Sequence, residues 1–192
     1  MKFNRTLKFF AALAAVSLLI GCASGSKRPD GSQSTVISQK TFVTPTNQIT
    51  STKISLSPNV NEKHGDLVEN GFSQADLLQK LNDALKSKNL LDSTSQKQNL
   101  ALEVVLQKIR IRSTANAMLW GFMAGSDYIT ADVLLKDAKG VEQDKFQIET
   151  SYALGGLVGG VASVRINWLY DSFSSEVLKE LTGQASSDAV KQ

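Results

Sequence analysis

Apolar residues recurring at every second position dominate the second half of the chain, and that period leaves little choice of fold. Leu100, Leu102, Val104 and Leu106 form one such run, Ile129, Ala131, Val133 and Leu135 a second, and Phe146, Ile148, Thr150 and Tyr152 a third. Successive side chains of a strand point to opposite faces, so each run has one face to bury. Between the apolar positions of the third run stand Lys145, Gln147 and Glu149, and the opposite face should therefore meet water. The second and third runs are joined by "DAKG", a turn whose Gly140 suits a positive φ, which makes them a hairpin. The first run resumes as Ile109 and Ile111, one position out of phase. An unrelieved slip would turn every later side chain to the wrong face, so a bulge or sharp twist is expected near Gln107 and Lys108.

Upstream, "STKISLS" at 51–57 reads as another strand, with Ile54 and Leu56 on one face. The segment "NVNEKHGDLVENG" reads as a polar loop, and its His64, the chain's single histidine, as a solvated loop residue. A helix follows. Ser73 is suited to cap its free amides, Asp76 lies in its first turn, Phe72 can staple onto Leu77, and Leu78, Leu81 and Leu85 form its apolar stripe. A last helix carries Ile166, Tyr170, Phe173, Val177 and Leu181 on one stripe and stops at Gly183. Its first half also places Val161, Val164, Trp168 and Leu169 on other faces, which calls for cover beyond the sheet. The expected fold is α+β: a single, mostly antiparallel sheet of about four strands packed by two helices on one face, over residues 51–184. The tail 185–192 reads as disordered.

The N-terminus has three parts: a basic start with Lys2, Arg5 and Lys8, the apolar run "FFAALAAVSLLI", and small residues around Cys22, the only cysteine. This is the layout of an export signal, and the apolar run is shorter than the ~20 residues that span a bilayer as a helix. Leu19-Ile20-Gly21-Cys22 resembles the lipobox of bacterial lipoproteins, in which cleavage follows the small residue and the cysteine sulfur carries a diacylglycerol. The resemblance implies a signal peptide over 1–21, lipid attachment at Cys22 and, because Ala23 follows, sorting to the outer membrane with the domain facing the periplasm. Residues 22–50, rich in Ser, Thr, Gln, Asn and Gly, read as a polar tether, with 34–43 open to pairing as an edge strand. Cleavage removes three basic residues and no acidic one, so the formal charge falls from +3 to about zero. With no basic stripe left, nucleic acid is not an expected partner. An acylated Cys22 leaves no thiol for a disulfide.

The order strand, helix, strand, hairpin, helix behind a lipobox resembles a family of bacterial envelope lipoproteins catalogued as a domain of unknown function. The similarity is concentrated in "WGFMAGSDYITADVLLKDAKG" and "FQIETSYALGGLVGG" and covers roughly 51–184. Related folds resemble periplasmic modules of lipoproteins that assemble into secretion collars or regulate envelope enzymes. The resemblance supplies no catalytic residues.

The residues agree. Nucleophilic catalysis needs a base beside the nucleophile; one histidine with no free cysteine nominates no such pair, and a Ser–Lys pair stays open only in that serines and lysines are abundant and no motif isolates two of them. Asp66, Glu69, Asp127 and Asp132 fit no calcium loop, zinc ligands are not clustered, and no metal or cofactor is called for. "ALGGLVGG" lacks the lysine of a phosphate loop. It reads as a flexible turn, or as a place where Gly155, Gly156, Gly159 and Gly160 pack against another subunit. The loop "NAMLWGFMAGSDY" concentrates Trp120, Phe122 and Met123. These side chains need cover from the protein itself by packing against Trp168, from a homo-oligomer or envelope protein, or from lipid. The function expected from all this is a non-enzymatic interaction or assembly module, anchored to the membrane by its N-terminal lipid. The alternative is a binding module for a small apolar ligand or an envelope glycan.

Overall fold

A computed structural model describes residues 22–28, 42–94, 100–154 and 161–184. The expected signal segment, much of the expected tether, the C-terminal tail, and Gly155, Gly156, Gly159 and Gly160 lie outside the described residues.

In chain order the elements are β1 (Cys22–Lys27), β2 (Ile49–Leu56), α1 (Pro58–Asn61), α2 (His64–Glu69), α3 (Gln74–Ser87), β3 (Leu100–Arg110), α4 (Thr114–Trp120), a 3-10 turn (Gly121–Ala124), β4 (Asp127–Lys136), β5 (Glu142–Tyr152) and α5 (Ala162–Thr182). The five strands make one open sheet in the order β1-β5-β4-β3-β2, antiparallel except for the parallel pair β2 and β3. The α+β architecture follows the sequence. The strand count and the number of helices do not: the described residues form five strands where about four were expected, and five helices where two were.

The extra strand is β1. Its sequence CASGSK shows no apolar alternation, and it is held instead by polar side chains. Ser24 donates to Glu176 of α5 at 3.0 Å, Ser26 to Glu180, and Arg28, just past the strand, reaches Glu180 at 2.7 Å and Asp144. The Arg28 guanidinium also stands 5.3 Å from the centre of the Phe146 ring. Burial lowers its pKa, but hydrogen bonds to Asp144 and Glu180 outweigh this, and the net shift is upward. Val43 and Ile49, also upstream of residue 51, are core residues. The packed fold thus takes in parts of the stretch read as tether.

The phase slip in β3 appears as a register shift between Leu106 and Lys108 against β4. One extra residue there keeps the apolar face inward, from Leu100, Leu102, Val104 and Leu106 before the shift to the half-buried Ile109 after it. Gly140 turns the β4–β5 hairpin at φ +78°. The two long helices, α3 and α5, cover the apolar face and pack against each other. Leu77, Leu81 and Leu85 are fully buried on α3, with Leu78 at the margin of the stripe rather than in it. Ser73 caps α3, accepting from Asp76 N–H. On α5 the expected stripe is buried throughout. The segment read as a polar loop instead forms α1 and α2, with Val60 and Leu67 buried and the half-buried His64 opening α2.

Candidate functional site

At the end of the sheet where β1 and β4 begin and β3 and β5 finish, three charged side chains are buried together. Arg165 and Asp127 are 0% exposed and Arg112 is 4%. Asp127, the first residue of β4, accepts from Arg112 backbone N–H at 2.6 Å and from its Nη2 at 3.1 Å, and from Arg165 Nη1 at 3.1 Å. Arg112 Nη1 donates to Gly125 O at 2.6 Å, and its Nη2 to Leu154 O at 3.0 Å. Arg165 Nη2 returns to Arg112 O at 2.9 Å. Burial lowers the Arg165 pKa; the facing Asp127 opposes the shift and Arg112 adds to it. Each guanidinium has a carboxylate or carbonyl to answer it, as buried charge requires.

What the triad does chemically is tie chain segments together. It joins the exit of β3, the turn before β4, the exit of β5 and the first turn of α5. Sequence reading missed Arg112 and Arg165 and weighed Asp127 only as a calcium ligand; the nearest available signal was Arg165, set between Val164 and Ile166 in a helix pattern, whereas Arg112 stands between Ile111 and Ser113 where the strand pattern ends.

Apolar residues surround this node on its outer side. Leu119, Trp120 and Met123 are 78%, 62% and 74% exposed. Leu154, Val161 and Val164 are exposed on the exit of β5 and the start of α5. Of the three kinds of cover open to the Trp120 loop, the protein itself supplies little to Leu119, Trp120 and Met123: α4 buries Ala117 and leaves Leu119 and Trp120 exposed. Trp168 is half-buried and stacks at a tilt on Tyr152, ring centres 5.4 Å apart. Phe122 falls in the 3-10 turn between Trp120 and Ala124. The backbone of Cys22 pairs with Tyr152, which also pairs with Asp127 across β5. Cys22, Trp120, Phe122, Met123 and Trp168, chosen from sequence for separate reasons, therefore belong to one end of the fold.

Two other features lie elsewhere on the surface. A groove of about 440 Å³ between α3 and α5 is lined by charged and polar residues of both signs, Asp76, Lys80, Asp83 and Asn167, together with Ala162, Ile166 and Tyr170. On the open face of the sheet, Gln107 and Gln147 both donate to Asp132, forming a ladder across three strands. Among the described residues no group of three or more His, Cys, Asp or Glu could hold a metal ion, and no helix is long and apolar enough to cross a membrane.

The sequence profile of a domain of unknown function, DUF4410, matches residues 39–156. The chain belongs to that family. No curated protein matches it. Among solved structures, the PelC dodecamer from Paraburkholderia phytofirmans is 9% identical, with a TM-score of 0.45 over 86% of this chain and 99% of that one. A DUF330 protein from Xanthomonas campestris is also 9% identical, with a TM-score of 0.49 over 76% of this chain and 90% of that one.

Proposed function

We propose that the protein is a lipoprotein of the outer membrane, facing the periplasm, whose domain acts as an interaction or assembly module without catalytic chemistry. The observation that carries this reading is the order of basic start, apolar run, small residue and Cys22 in the sequence. More than one acyl chain on one cysteine gives stable anchoring, since each buried methylene contributes about 0.8 kcal/mol. The exposed apolar residues at the Cys22 end support a contact role.

The test is fractionation of cells producing the full chain, with mass spectrometry of the N-terminal peptide. A chain starting at a diacylglyceryl Cys22 in the outer-membrane fraction is the expected result. A free thiol at Cys22, or a start methionine retained on a cytosolic product, overturns the reading. The groove between α3 and α5 favours one second reading, a glycan-binding module: Asp76, Lys80 and Asn167 offer hydrogen bonds to hydroxyls, and Ala162, Ile166 and Tyr170 offer apolar surface to the face of a sugar ring. Native mass spectrometry of gently purified material separates the two, because a carried-over glycan and a carried-over protein differ in mass.

A further inference from the structure

We propose that the end of the sheet bearing Trp120 seats on the lipid bilayer itself, as a second membrane contact beside the acyl chains; the inference rests on the proposed acylation of Cys22. Three observations place an apolar surface next to the membrane. Cys22 is the first residue of β1 and pairs directly with Tyr152, so a lipid on it leaves no spacer between membrane and sheet. Of the nine large apolar residues exposed among the described residues, six lie at this end: Leu119, Trp120, Met123, Leu154, Val161 and Val164. The segments that carry them are fastened to one another by Arg112 and Arg165 through Gly125, Asp127 and Leu154, so they move as one surface.

A fourth observation chooses the occupant. Among the described residues of this end, 113–126, 150–154 and 161–164 hold no Asp, Glu, Lys or Arg, in a chain that is 20% charged. A water-facing surface has no reason to shed its charge over these segments, and acyl chains on Cys22, paired with Tyr152 beside the patch, would hold it against lipid rather than against another protein. An uncharged patch carrying a tryptophan fits the boundary of headgroups and acyl chains. The exposed Arg110, which donates to Ala124 O at 2.9 Å, stands at the rim where anionic headgroups would meet it. Shallow insertion, on the order of 5–10 Å, is what such a surface supports.

The experiment uses the full chain, processed in cells, with Trp168→Phe so that Trp120 is the only tryptophan. It is reconstituted into phosphatidylethanolamine and phosphatidylglycerol vesicles brominated near the headgroup end of the chains. The same sample is weighed to establish the state of Cys22. Acylated protein whose Trp120 emission is blue-shifted and quenched by the brominated lipid is the expected result, with Leu119→Ser plus Met123→Ser reducing both effects. Acylated protein with unquenched, water-like emission overturns the inference and leaves the anchor reading intact. Unquenched emission together with cross-links between copies through Trp120 overturns it in favour of a second copy of the chain. An unmodified Cys22 overturns both readings.

Discussion

The hydroxyl of Tyr170 holds Ser73 by both ends of its backbone, accepting from its N–H at 2.8 Å and donating to its carbonyl at 3.0 Å. Ser73 is the cap of α3, so one phenol on α5 fixes where the other long helix starts. Tyr170→Phe leaves both backbone groups without that partner and should destabilise the domain by about 1–3 kcal/mol, read from urea unfolding at neutral pH.

The same phenol makes stability sensitive to alkali. Burial, aided by Asp76 and opposed by the Ser73 hydrogen bond, pushes its pKa from 10.0 up to about 12. A folded value above the unfolded one means that this contribution is complete below pH 10 and is lost as pH rises from there through about 12. The loss should amount to roughly 2–3 kcal/mol, and unfolding measured across that range should show it in the parent protein and a flatter profile in Tyr170→Phe.

Asp127 answers two buried arginines, so removing it leaves both cations facing each other in the interior. Asp127→Ala should cost about 3–5 kcal/mol. The loss should open the Cys22 end of the sheet first, seen as faster hydrogen exchange in the first turn of α5 than in β3.

Arg28 stands between the carboxylates of Asp144 and Glu180, which are almost wholly buried. Arg28→Met should free β1 and leave the rest of the sheet formed. Amides of residues 22–27 should then exchange faster, with those of β3 and β4 unchanged; equal exchange everywhere would refute the assignment.

Gly183 and Gly140 share a left-handed φ, +76° and +78°, but not their surroundings. A Cβ on Gly140 meets open space, and one on Gly183 runs into the Phe42 ring. Gly140→Ala should cost only the backbone strain, about 1 kcal/mol, and Gly183→Ala visibly more. Thermal melts of the two variants give the difference.

Where the sequence carries a local period, it foretold the structure closely. The slip between Leu106 and Ile109 announced a register shift, and Ile166 to Leu181 announced the buried face of α5, because each signal lies within one element. β1 gave no such signal, since what holds it is Arg28 meeting partners 116 and 152 positions away. The Arg112–Asp127–Arg165 triad escaped notice for a related reason: Arg165 between Val164 and Ile166 reveals a burial problem but not its partner, and Arg112 and Asp127, each next to a serine, do not reveal even that. Trp120 and Met123 were recognised as needing cover, and their exposure came from α4 burying Ala117 and projecting outward.

The register of β1 bears on how the molecule would resist force. A pull at Cys22 directed along the strand would act in shear on its pairing with β5, so the bonds would strain together instead of breaking in succession as a zipper opens. Arg28 clamps the far end of the same strand between Asp144 and Glu180. A strand of mostly small and polar residues, without an apolar face to pack, is thereby arranged to take tension.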